Sequence, residues 1–117
     1  MKTSIRRLAQ EEYFGVEITA DGKLVVAHRK DGAALQPRHF PAGAAGARAL
    51  REHIERQNTH PHVCIRACGG AAIGVATALI PVPGVEVTVV AAPAAGEAPA
   101  TPEARAERLA KLAERLF

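Results

Sequence analysis

Apolar and polar residues alternate with a period of two along the first third of the chain, and the period then lengthens. Tyr13, Phe14, Val16, Ile18 and Thr19 make residues 13–19 a predicted strand rich in β-branched and aromatic positions. Asp21-Gly22 is a two-residue hairpin signal, with 23–29 as the returning strand. A second turn at Asp31-Gly32 leads to a short third strand around 35–40. In residues 43–57, Ala47, Leu50 and Ile54 fall at helical spacing, with Arg48, Arg51, Glu52, Glu55 and Arg56 on the wet side. Pro61 separates this helix from a strand at 62–67, Gly69-Gly70 opens an uncharged helix at 71–80, and Gly84 precedes a strand at 85–90. That last strand is almost continuously apolar, which predicts burial on both faces. Residues 91–101 read as a loop before a C-terminal helix, which Thr101 caps, Pro102 opens and Glu103 complements at its positive end. Leu109, Leu112 and Leu116 line one stripe of it, while Glu103, Glu107, Lys111 and Arg115 favour a solvated face.

Three strands joined by tight turns, followed by helix-strand-helix-strand-helix, predict an α/β fold. The expected sheet is mixed and five-stranded: three antiparallel strands, then two parallel ones added by right-handed crossovers, with helices on its faces. Residues 1–12 read as a polar N-terminal arm and 13–117 as a single domain, a reasonable size for 117 residues.

Composition narrows the functions. Aromatics are 3% of the chain and Trp is absent, which argues against base-stacking platforms. Fifteen Lys and Arg against twelve Asp and Glu give a net charge of +3, which permits nucleic-acid contact without demanding it. Two cysteines exclude a disulfide scaffold, and the polar start carries no cleavable signal, so a cytoplasmic location is expected. Residues 67–85 are uncharged, but they are mostly Ala and Gly, and Pro81-Val82-Pro83-Gly84 breaks the run short of a bilayer's width. No membrane partner is expected.

The motifs add a resemblance. Gly15-Val16-Glu17-Ile18-Thr19 with Asp21-Gly22-Lys23, then Cys64-Ile65-Arg66-Ala67-Cys68-Gly69-Gly70, then Gly84-Val85-Glu86-Val87-Thr88 with Pro93, resemble in order and spacing a known amino-terminal domain. It is the ribonuclease H-like (RuvC-type) domain of the DEDD transposases, which include the pilin-gene invertases. The resemblance implies that fold, and four carboxylates at the strand ends holding two divalent metal ions for phosphodiester cleavage. This chain departs at the critical positions: Glu17 replaces the first Asp, and Arg66 stands where the family has Glu. Glu103 and Glu107 are the candidates for the last pair, at a spacing that does not match the family closely, and the family's second catalytic domain has no counterpart here. The resemblance places the first strand beside the 62–67 strand, which leaves two arrangements open: Glu17 and Arg66 face each other as an ion pair, the guanidinium in the cation's place, or Arg66 points outward at the end of its strand.

The remaining constellations are weaker. His60, His62, Cys64 and Cys68 are the right ligand types for zinc at a spacing that structural zinc sites do not use, so no metal site is expected there, and Cys64 reads as a small buried hydrophobe. Gly69-Gly70 before a helix reads as close packing of strand against helix rather than a phosphate cradle. Arg48, Arg51 and Arg56 are the candidate nucleic-acid contacts, although interleaved Glu52 and Glu55 make an ordinary solvated face. The expected function is non-catalytic: binding of DNA or RNA, of another protein, or of a second copy as a homodimer, with no cofactor. The alternative is a nuclease or transposase remnant that uses Mg2+ or Mn2+ through Glu17, Glu103 and Glu107.

Overall fold

The computed structural model describes residues 11–57, 60–67, 69–91 and 101–116. The elements run β1 (Glu11–Ile18), β2 (Leu24–Lys30), β3 (Ala33–Ala34), β4 (Arg38–Phe40), α1 (Gly43–Glu55), β5 (His60–Arg66), α2 (Gly70–Leu79), β6 (Glu86–Val90) and α3 (Pro102–Leu116). They build one mixed sheet in the order β3-β2-β1-β5-β6, with β4 also pairing with β2. β1 runs antiparallel to β2 and parallel to β5, and β5 runs parallel to β6. The meander followed by two parallel additions is therefore as expected. No helix among the described residues is long and apolar enough to cross a membrane.

The sheet has six strands rather than five because the third splits. Asp31 and Gly32 both sit at positive φ, the requirement of a type I′ turn, so β3 starts immediately after them. Pro37 has no N–H to give to the ladder, and pairing resumes only at Arg38. The first hairpin is one residue looser than its Asp-Gly pair suggests: Thr19 N–H donates to the Lys23 carbonyl at 2.9 Å, which leaves Ala20, Asp21 and Gly22 as the loop. β1 begins at Glu11, inside the expected arm, and Glu12 is fully buried; residues 1–10 lie outside the described residues, as does most of the 91–101 loop. β6 is not buried on both faces. It lies at the end of the strand order, and Val89 is 45% exposed.

Alternation along the strands sorts side chains between two faces. Phe14, Val16 and Ile18 of β1, Leu24 and Val26 of β2, and Val63 and Ile65 of β5 pack with Leu50 and Ile54 of α1 and Ala72, Val75 and Leu79 of α2. His28 and His53 belong to this side: the His28 ring stacks on Phe14 at 4.3 Å, and His53 stands edge-on to both rings at 6.4 Å. His28 also contacts the buried Glu12 carboxylate. Burial holds both histidines below the ordinary value of 6.5; Glu12 opposes the shift at His28, and Arg38 reinforces it at His53.

The opposite face is covered by α3. Thr101 caps it, its Oγ1 accepting from the Ala104 N–H at 3.1 Å. The helix buries only part of its leucine stripe: Ala106, Leu109, Ala110 and Ala113 face the sheet, Leu112 is half-buried, and Leu116 is 52% exposed. The reason is Gly15. A Cβ there would lie 2.0 Å from the Ala106 carbonyl oxygen and 2.4 Å from the Ala110 nitrogen, so the helix backbone rests directly on β1 and only small side chains fit beside it. Gly69, in contrast, is not a packing glycine. Nothing lies within 4 Å of its missing Cβ, and it serves by adopting φ +73° ahead of α2.

Two predictions follow from the packing. Gly15→Ala should cost about 3 kcal/mol or more, the upper range for overpacking. Gly74→Ala, in the open on α2, should instead gain about 0.5–1 kcal/mol. Denaturant melts of the three proteins check both. The histidines set a pH dependence. Their folded values lie below the unfolded one, so the unfolded chain takes up protons first and stability falls as pH drops from about 7 towards the folded values. Thermal melts across that range should show the fall, and it should be shallower in His53→Leu.

Candidate functional site

Glu17 is the next residue after Gly15 on the α3 face of β1, and it is fully buried. The parallel register pairs Val16 with Ile65, so Glu17 and Arg66 come next, side by side at the C-terminal ends of β1 and β5. Of the two arrangements, the ion pair is the one present. Arg66 Nε donates to both carboxylate oxygens of Glu17, at 2.6 Å and 2.8 Å, and Arg66 Nη2 reaches the Ile18 carbonyl at 3.4 Å. A second guanidinium joins from α3: Arg105 Nε lies 3.4 Å from Glu17 Oε2. A carboxylate withdrawn from water is costly unless charged partners replace its hydration, and here two cations do so.

These groups line a cavity of about 390 Å3. Its polar wall is Glu17 with Arg66, Arg105, Arg108, Lys111 and Arg115, and its apolar wall is Val90, Ala91, Leu109 and Leu112. Five basic side chains thus surround one carboxylate. Arg105 and Arg108 carry no signal as isolated residues, but 105, 108, 112 and 115 recur at helical spacing, and that recurrence was the available clue.

The other carboxylates go elsewhere. Glu103 meets His39 Nε2 at 2.8 Å, a hydrogen bond that holds Glu103 below the usual carboxylate range. Glu107 accepts from Arg29 Nη1 at 2.8 Å, and Arg29 Nε also reaches Glu114 at 3.2 Å. The donor set does not fit the pair of divalent ions that the resemblance implies. Its one strand-end carboxylate is held by two fixed cations, and Glu103 and Glu107 are each engaged by separate basic partners.

Arg48, Arg51 and Arg56 lie on the far side of the sheet, on and just after α1. Arg51 is 3.9 Å from Glu55, the solvated i, i+4 pair that the interleaving suggests. Cys64 is buried against Leu109 and Ala113, and burial pushes its thiol up, as fits a small hydrophobe. Cys68 lies outside the described residues.

No protein-family model matches this chain, and no curated protein is similar to it. Among solved structures, the chain is similar to one from a structural study of the Aquifex aeolicus PPX-GPPA enzyme, at 11% identity and a TM-score of 0.34. The match covers 69% of this chain and 36% of that one, so the chain spans about a third of that structure's length. A likeness of this size carries no argument about chemistry. What stands on the geometry is a mixed α/β domain with a buried carboxylate clamped by two guanidiniums at the strand ends.

Arg66→Met removes the shorter of the two clamps and leaves a buried carboxylate with a long contact to Arg105. A loss of about 3 kcal/mol is expected, in the range for breaking a buried pair. Glu17→Leu combined with Arg66→Met should recover most of that loss, because the buried carboxylate is gone and Arg105, a quarter exposed, can turn to solvent; urea melts of the single and double variants measure it.

Proposed function

We propose that this chain is a non-catalytic ribonuclease H-like domain that binds the phosphate backbone of a nucleic acid across the cavity at the ends of β1, β5 and β6. The observation that carries the reading is the excess of cations around Glu17. In the resembling family this strand end gathers carboxylates to hold metal; here Arg66 and Arg105 occupy the carboxylate's hydrogen-bonding capacity, and Arg108, Lys111 and Arg115 line the same cavity. Val90, Leu109 and Leu112 form a low-dielectric wall, which focuses that positive potential. From Arg108 to Arg115 the helix advances about 10 Å, enough to meet more than one phosphate of a strand. The scarcity of aromatic residues favours backbone contact over base reading.

The test is fluorescence anisotropy with labelled single-stranded and duplex oligonucleotides over a salt series, in EDTA. Binding should be indifferent to sequence and metal, and should weaken with salt. Arg108→Ala/Lys111→Ala/Arg115→Ala, all at exposed positions, should lower affinity at least about tenfold and reduce the log-log salt slope by about 2–3. Arg48→Ala/Arg51→Ala/Arg56→Ala should leave both unchanged; the reverse pattern would move the interface to α1, and strict dependence on Mn2+ would favour the nuclease reading. Self-association is a second reading, resting on Ile73 of the uncharged α2 and Ile80 just after it, which are 65% and 70% exposed. Sedimentation at two protein concentrations, run beside the binding assay, separates it.

A further inference from the structure

At the opposite end of the same sheet face, His60 and His62 stand two apart on β5, which puts them on one side of the strand. The parallel register sets Glu86, the first residue of β6, directly beside His62. One ligand atom from each of the three residues lies within 4.8 Å of the others. We propose that His60, His62 and Glu86 form a binding site for a zinc-class divalent transition-metal ion.

The central ligand is already held in place. His62 is buried, its ring stacked on Tyr13 at 5.4 Å and 21°. Its Nε2 lies 3.0 Å from Glu11 Oε1, and its Nδ1 faces Glu86 Oε2 at 3.7 Å. Tyr13 Oη donates to the same Glu11 oxygen at 3.0 Å. A carboxylate on one imidazole nitrogen, with the other turned towards a ligand cluster, is the outer-shell arrangement that orients metal-binding histidines. Glu11 is that outer carboxylate. His60 is bounded by Gly84, where a Cβ would come within 3.2 Å of the ring.

Two imidazoles and one carboxylate suit zinc and its neighbours, whereas magnesium and calcium favour all-oxygen sets. Tetrahedral ligands at the usual zinc distances stand about 3.4 Å apart, so the cluster must contract slightly. His60 and Glu86 are both exposed and can rotate inwards. Among the described residues, β6 pairs with β5 alone, so an ion bridging them would clip the end strand to the sheet.

The test is calorimetric titration of Zn2+ into the full-length chain after chelator treatment and dialysis, with thermal melts alongside. One ion per chain should bind, with a rise in melting temperature by mass action and no comparable response to Mg2+. His60→Ala and Glu86→Gln change exposed side chains and should each weaken binding at least about tenfold, and Glu11→Gln about tenfold through the loss of orientation. Circular dichroism confirms that the variants are folded. Absence of saturable Zn2+ binding by the wild type would overturn the proposal, as would undiminished affinity in the His60→Ala/Glu86→Gln double variant. Neither outcome bears on the nucleic-acid reading, which concerns the other end of the sheet.

Discussion

Helix α3 meets strand β1 with no side chain between them at Gly15, and the geometry of this face follows from that contact. A hydrogen atom at position 15 lets the Ala106 carbonyl and the Ala110 nitrogen approach to distances that a methyl group would forbid. The helix surface must then be small at the contact, which places Ala106, Ala110 and Ala113 there, with Leu109 as the leucine of the stripe that is buried beside them. Once that row is seated, the residue before Ala106 is Arg105, and the next residue along this face of β1 is Glu17. Their meeting is a consequence of close approach rather than of any local preference for an ion pair.

The clamp on Glu17 bears on function as well as on stability. A carboxylate at 0% exposure loses its hydration entirely and keeps its charge only where partners supply equivalent electrostatics. Arg66 does so through one nitrogen placed against both oxygens, and Arg105 adds a longer contact. The cavity that Glu17 lines is bounded by five basic side chains, Arg66, Arg105, Arg108, Lys111 and Arg115. The hydrogen-bonding capacity that a metal-binding carboxylate would offer is already taken up by guanidiniums, so Glu17 is placed to support the packing of β1, β5 and α3 rather than to hold a divalent ion.

Much of this was legible in the sequence, and the limits have physical causes. The Asp31-Gly32 turn, the Thr101-Pro102 helix start and the alternation along β1 are local signals, and each element formed where they pointed. The Glu17–Arg66 pair was legible one level up, because parallel neighbours align residues at matching strand ends. Arg105 was not, because which face of an amphipathic helix turns to the sheet depends here on a glycine ninety residues earlier in the chain, and the leucine stripe pointed to a different rotation. The split third strand turns on Pro37, whose missing donor interrupts a ladder that the apolar pattern alone would have continued. The histidine cluster escaped for a similar reason: a search for ligands adjacent in sequence looks to Cys64 and Cys68, while the register supplies Glu86 from the neighbouring strand.

The α3 face of the sheet is consequently divided along the strand direction. Reading the residues that point to this side, β1 offers Glu11, Tyr13, Gly15 and Glu17, and β5 offers His60, His62, Cys64 and Arg66. Gly15 and Cys64, in the middle of these series, are small because α3 lies over them and excludes water, as the burial of Cys64 against Leu109 and Ala113 shows. The ends of each series are ionisable because side chains there can reach past the helix to solvent or to one another. At the C-terminal end the partners available to Glu17 are Arg66 and the basic side chains of α3. At the N-terminal end the side chains gathered are two imidazoles and the carboxylates of Glu11 and Glu86, a donor set that favours a soft-to-borderline cation. One helix seated on one glycine thus leaves two separate sets of ionisable side chains at the two ends of a single sheet face.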